Sequence, residues 1–281
     1  HNVCDFISAV DTPAIWELNI WYHTLNCGMT TRISGETDFP CIYGDRVGLG
    51  RIYVQLDKGQ ELTYDTWVEG LRDGRSYCGD GLSHILDFKV NDVSVGQRTA
   101  DSPLSTLKLD APKTVNVTFN AAALLEESPT ELTESIRNKR LDDKPYWHLE
   151  RCRKGATRNV PVEIIVNGKV VATKDFVADG HVEAMSFPIE IKESSWVAVR
   201  ILPSVHTNPV FVQIGDKPIR ASRRSAEWCQ KAVNVCWEAK QNKIRPEERE
   251  AAKQAYDKAE EIYAKIREEA TEDAVLGKLQ K

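Results

Sequence analysis

From His84 to Ile219, hydrophobic residues alternate with polar ones at a period of two, in runs separated by turn residues. A period of two marks strands that bury one face, and no helix can use it. Ile85-Leu86-Asp87-Phe88-Lys89-Val90 ends at Asn91-Asp92, and Thr114-Val115-Asn116-Val117-Thr118-Phe119 follows Pro112. Residues 162–166 and 169–176 flank Asn167-Gly168, a pair that readily takes the positive φ angles of a tight hairpin. Residues 195–202 and 209–214 add two more strands. Short strands at this spacing predict an antiparallel β-sandwich over 83–221. The charged stretch 128–145, between Pro129 and Pro145, reads as a long excursion from it, and long excursions are either mobile or functional.

The flanking zones have a different pattern. Residues 3–54 read strand, helix, strand, Gly-rich turn, strand, the grammar of α/β structure. The opening strand, 4–10, meets Asp11-Thr12-Pro13, where Asp11 or Thr12 is expected to cap a helix. Ile15, Trp16, Leu18, Ile20, Trp21 and Leu25 recur at helical steps and predict a largely buried helix, with Gly28 as its left-handed stop. A strand over 30–34 and a helix over 63–72 follow. Beyond Arg220, one stripe runs from Trp228 through Cys229, Ala232, Val233 and Cys236 to Trp237. A second runs from Ala252 to Ile266 and predicts a packed helical hairpin. Its charged run, 245–269, reads as a solvated face with pairs such as Glu261 and Lys265. The division expected is an α/β segment over 1–82, a sandwich over 83–221 and a helical extension over 222–281.

Composition narrows the function classes. A chain of 281 residues with 41% hydrophobic and 28% charged residues is not disordered. Its apolar runs are far too short to span a bilayer. With 37 basic against 42 acidic residues the net charge is −5, and no basic face for nucleic acid stands out. Seven cysteines without a Cys-x-x-Cys pair fit neither a disulfide scaffold nor a zinc ribbon. The chain enters a strand almost directly after His1, so an interior start is expected, with an upstream part of the same protein as partner.

Carboxylates at the C-terminal ends of parallel strands are where α/β enzymes place metal ligands. Asp38, with Glu36 two residues before it, has that position, although spacing alone favours a turn cap. Arg51 has two even readings, holding an anionic group or pairing with Asp45 or Asp38. His206 is expected on a turn between sandwich strands, either reaching the α/β segment or capping the turn, and the cap is favoured. His23 reads as a packed helical histidine, and Cys229 and Cys236 as buried thiols rather than a metal pair.

Residues 16–28 (Trp-Glu-Leu-Asn-Ile-Trp-Tyr-His-Thr-Leu-Asn-Cys-Gly), Ser34-Gly35-Glu36-Thr37-Asp38-Phe39-Pro40 and Val47-Gly48-Leu49-Gly50-Arg51-Ile52-Tyr53-Val54 resemble the last βα units of the polymerase-and-histidinol-phosphatase (PHP) superfamily. The branch they are similar to is the CehA/McbA-type metallohydrolases. Gly74-Arg75-Ser76-Tyr77, Ser204-Val205-His206-Thr207-Asn208-Pro209-Val210 and residues 218–229 extend the resemblance to about Trp237. It implies the C-terminal end of a (βα) barrel, an antiparallel β-sandwich and a helical hairpin. It also implies a cluster of divalent metals (Zn, Mn or Fe) that activates water against an ester, amide, carbamate or phosphoester bond of a small-molecule substrate. Asp38 matches the Asp of the last Asp-x-His ligand motif. Pro40 stands where the His belongs, and the early His-x-His motif is absent, so this chain alone does not carry the full ligand set. A binding or scaffold protein with a degenerate metal site is the opposing expectation. The segment 3–54 is expected to offer an unpaired sheet edge and to self-associate in isolation; a sharp monomeric peak in light scattering with cooperative unfolding would contradict this.

Overall fold

The computed structural model describes residues 4–39, 48–98, 102 and 104–270. In chain order the elements are β1 (Phe6–Ala9), α1 (Ala14–Asn26), β2 (Arg32–Gly35), β3 (Arg51–Val54), α2 (Tyr64–Asp73), β4 (Ser76–Gly79), β5 (Ser83–Val90) and β6 (Val93–Ser94). They continue with β7 (Thr106–Leu109), β8 (Lys113–Ala123), α3 (Glu131–Asn138), β9 (Asn159–Val166), β10 (Lys169–Val177) and β11 (Glu183–Ile191). The chain closes with β12 (Ser195–Ile201), β13 (Val205–Thr207), β14 (Val210–Ile214), α4 (Arg223–Lys240) and α5 (Pro246–Glu269).

The alternating pattern forms two sheets. One is the antiparallel order β11-β8-β5-β6; the other is an eight-stranded sheet, β10-β9-β12-β13-β4-β3, with β14 on β12 and β7 parallel to β14. Val117 and Phe119 from the first and Ile164, Val199 and Ile201 from the second share one apolar core, as the sandwich expectation requires. The β9–β10 hairpin turns at Asn167 (φ 51°) and Gly168 (φ 83°), the geometry that Asn-Gly favours. β10 is an exposed edge interrupted by a bulge near Val170, a device that discourages edge-to-edge pairing.

Every residue of β12 is buried, because the larger sheet is covered on both faces. Val197, Val199 and Ile201 face the other sheet, whereas Trp196 and Ala198 pack with Leu18, Trp21, Tyr22 and Leu25 of α1. The helix buries that one face only. Trp16 and Ile20, one turn apart on the opposite side, are 56% and 45% exposed, so the helix is less buried than its periodicity suggested. Gly28, at φ 84°, stops it as expected. Its expected cap is absent: Pro13 occupies the N-cap with no side-chain hydrogen bond. The Glu17 carboxylate instead reaches back to the Val10 and Thr12 N–H groups.

β1 and β2 pair in parallel across α1, Phe6 opposite Arg32 through Ala9 opposite Gly35, a small βαβ unit. β3, expected to continue this α/β segment, pairs antiparallel with β4 in the larger sheet instead. The two sheets meet where the chain crosses itself at glycines. A Cβ on Gly35 would lie 2.1 Å from the Arg51 carbonyl oxygen, and one on Gly50 2.0 Å from that of Glu36. Asn208 ties the unit down further: its Oδ1 accepts from the Ile33 N–H at 2.8 Å, and its Nδ2 donates to Ser76 Oγ at 2.9 Å. The boundary expected near residue 82 therefore falls within a region of shared hydrogen bonding, since β4 pairs with β13.

α4 and α5 form the expected pair. They pack on the end of α1 through Cys27, Ala226, Cys229 and Ile266, with the Cys27 and Cys229 sulfurs 3.9 Å apart. On the charged face Lys265 lies 3.8 Å from Glu269 rather than pairing with Glu261. Among the described residues no helix is long and apolar enough to cross a membrane. Ile201→Ala, which empties space where the two sheets meet, is expected to cost about 2–5 kcal/mol in urea unfolding. Val170→Ala on the exposed edge should stay within about 0.5 kcal/mol of the parent.

Candidate functional site

The C-terminal ends of β1 and β2 gather acidic side chains. Asp11 follows β1, and Glu36 and Asp38 follow β2. Partial shielding, and then the charges of Asp11 and Asp38, raise the Glu36 carboxyl above its ordinary value. Asp38 is exposed, at φ 50°, a left-handed conformation that Asp tolerates better than most residues. Its carboxylate accepts no hydrogen bond and forms no ion pair among the described residues. The expected alternative of pairing with Arg51 is not realised. Residues 40–47, including Pro40 and Asp45, lie outside the described residues, as does His1.

Arg51 starts beside Glu36, because its carbonyl packs against Gly35, but its side chain turns away. Nε donates to the Gly48 carbonyl at 2.6 Å and Nη1 to the Tyr53 hydroxyl at 3.3 Å. That direction leads to a ring cluster in which Tyr53 stacks on Tyr77 with centroids 5.0 Å apart. Tyr77 OH lies 2.8 Å from His84 Nδ1, and burial and the Arg51 charge hold His84 below its usual value.

His206 sits on β13 rather than on a turn, and it is wholly buried. Nδ1 lies 2.7 Å from the Thr207 carbonyl, which places the proton there and leaves Nε2 to accept from Tyr22 OH at 2.6 Å. Arg200 Nη1 donates to the same phenol oxygen at 3.0 Å, and Arg200 Nε to Glu163 at 2.7 Å. Burial, with Arg200 beside it, pushes His206 down to about 3. Neutral and out of reach of solvent, His206 is a polar joint between α1 and the sheet. His23 has a similar role toward α4. It stacks on Trp228 with centroids 4.6 Å apart, and burial lowers it to about 4.

Two carboxyl groups beyond the expected ones stand out. Glu17 is 6% exposed, and it accepts from Val10 N (3.0 Å), Thr12 N (2.9 Å), Thr12 Oγ1 (2.8 Å) and Trp147 Nε1 (3.1 Å). Burial outweighs these bonds and raises it to about 7. It thereby clamps the β1–α1 loop to Trp147, at the end of the sandwich's long excursion. Arg151 holds that excursion in shape by donating to the carbonyls of Lys139, Arg140, Asp143 and Pro145. A small cleft lined by Asp11, Thr37, Lys144 and Tyr146 lies where the excursion meets the strand ends.

Asp80, just after β4, accepts from Leu82 N and Ser204 Oγ through Oδ1, while Oδ2 is buried without a hydrogen-bond partner among the described residues. Burial raises it to about 6. For Glu17 the sequence held a usable signal, an acid within the apolar stripe of a helix. Asp80, between two glycines, carried none.

Among the described residues no group of three or more His, Cys, Asp or Glu side chains converges closely enough to hold a metal ion. Asp11, Glu36 and Asp38 carry hard oxygen donors of the type divalent cations take, but they do not meet that condition. Comparison with known proteins returned no matching family model, no matching curated protein and no matching solved structure.

The raised Glu17 value has a definite sign. Its contribution to stability is fully present below 4.5 and is lost as the pH rises toward 7. The buried histidines act in the opposite sense but are common to wild type and variant. Thermal melts across this range should show wild type losing stability relative to Glu17→Gln as pH rises. A constant difference would mean that Glu17 does not titrate there. At low pH the variant should be the less stable by about 1–2 kcal/mol, because its amide N–H₂ faces the Thr12 N–H.

Proposed function

We propose that this chain is the C-terminal part of a PHP-type metal-dependent hydrolase, with β1-α1-β2 as the end of its (βα) barrel. The observation that carries this reading is the parallel βαβ unit with Asp11, Glu36 and Asp38 at the carboxyl ends of its strands. A two-stranded parallel sheet is unusual by itself, since parallel strands normally belong to larger buried sheets. The ordered motifs that resemble the CehA/McbA-type branch point the same way.

In this reading Asp38, exposed and without a partner among the described residues, contributes an oxygen ligand, and Glu36 and Asp11 supply negative charge beside it. An upstream part of the same protein completes the set. A divalent cation (Zn, Mn or Fe) supplies Lewis acidity for hydrolysis of an ester, amide, carbamate or phosphoester bond. Glu17 and Trp147 hold the excursion against the strand ends, which limits water there and gives the sandwich a part in shaping the substrate pocket. The competing reading, a binding or scaffold protein, is favoured by the absence of a converging ligand group among the described residues.

Asp38→Asn separates the two in the full-length protein. The substitution keeps the side chain's shape and removes its charge. Metal content by elemental analysis and hydrolysis of ester and phosphoester substrates should fall together, with the melting temperature unchanged. Unchanged metal and turnover with a lower melting temperature would make Asp38 a turn cap and favour the scaffold.

A further inference from the structure

A cavity lies beside the first turn of α1. It holds about 580 Å³ between the first turn of α1, the strand end at Leu202-Pro203 and the excursion carrying α3, a size suited to a small organic molecule. Ile15, Tyr146, Leu202 and Pro203 form its apolar wall.

Its rim has a charge imbalance. Arg137, Lys139, Arg140 and Arg151 line it, against the single carboxylate of Asp142. Asp142 is taken up by Arg140 in a two-bond pair at 2.8 and 2.7 Å. The other cations have mostly carbonyl partners: Arg137 donates to Gly155 O, Lys139 to Lys144 O at 2.9 Å, and Arg151 to the carbonyls that shape the excursion. Carbonyls satisfy hydrogen bonds without cancelling charge. Glu134 lies 3.9 Å from Arg137, a loose pair on the exposed face of α3. Asp143 acts on Arg140 and Arg151 and offsets part of this charge, so the cavity combines an apolar wall with a modest excess of positive charge centred on Arg137 and Lys139, to which the positive end of the α1 dipole adds.

We propose that this cavity binds a small amphipathic anion, an aromatic or aliphatic body bearing one carboxylate or phosphate group. The body packs on Ile15, Tyr146 and Leu202, and the anionic group faces Arg137 and Lys139, whose hydrogen-bond partners are carbonyls. Tyr146 lines both this cavity and the cleft that reaches Asp11. As a statement of substrate class the inference rests on the hydrolase reading, whereas binding itself does not.

The test is equilibrium binding to the full chain, by calorimetry, of 1-naphthoate, 1-naphthyl phosphate, neutral 1-naphthalenemethanol and cationic 1-naphthylmethylamine. One saturable site should prefer both anions over the neutral probe by about tenfold, and added salt should reduce that preference. Arg137→Gln combined with Lys139→Gln should remove the preference while leaving weak binding of the ring. Ile15→Trp fills the cavity and should abolish binding of every probe with little change in melting temperature. If Ile15→Trp fails to fold, Leu141→Trp, on the exposed rim, is the blocking variant and should have the same effect. Equal affinity for anionic and neutral probes, or binding that survives a folded blocking variant, overturns the proposal. Asp38→Asn should leave naphthoate affinity unchanged, so a failed hydrolase reading remains distinguishable from a failed anion site.

Discussion

The larger sheet has two apolar faces, and one sandwich partner can cover only one of them. The second face is sealed by α1, and most of what is distinctive in the molecule depends on that contact. It mixes aromatic packing with polar groups that must be matched inside the protein. Trp196 Nε1 donates to Asn26 Oδ1 at 2.8 Å and Trp21 Nε1 to the Thr31 carbonyl at 2.7 Å. The chain Glu163–Arg200–Tyr22–His206 carries a single charge pair from the partly exposed Glu163 on β9 into the interior. A buried polar chain of this kind tolerates little displacement, because any partner left unmatched costs more than the bond contributed. α1 is held in one register, and with it the two strands it connects.

That register positions the acidic strand ends. β1 and β2 flank α1, and their ends lie where the loop after β1 is gripped by Glu17 and where Gly35 passes against the chain at Arg51. The same Glu17 grips Trp147, so the excursion from the sandwich and the strand ends form one neighbourhood. The small cleft that includes Asp11 and Lys144 and the larger cavity with its basic rim meet there, with Tyr146 lining both.

How much of this was legible in the chain depends on range. The period-two runs, Asn167-Gly168, Gly28, and the stripes of α4 and α5 each encode a local structure that neighbouring residues decide. The strands, the hairpin, the helix stop and the helical pair could therefore be read directly. Asp38 could be placed after a strand for the same reason. The direction of Arg51 could not, since its partners Gly48 and Tyr53 are near in sequence but the ring cluster that accommodates it includes Tyr77 and His84. His206 was assigned to a turn because a three-residue strand has too little pattern to register.

By itself the sequence determined which segments are strands, which are helices and where they turn, because those choices rest on side-chain periodicity and on φ preferences of single residues. Only the tertiary structure decided which sheet each strand joins and what each charged group meets. β3 resembles a continuation of the α/β segment, yet it joins the sandwich sheet, because Gly35 and Gly50 let two backbones cross where any Cβ would collide. Glu17 lies within a helix stripe, and only folding brings Val10, Thr12 and Trp147 around it. Burial and long-range contact set the protonation of such groups, and neither is a property of a residue's neighbours in the chain.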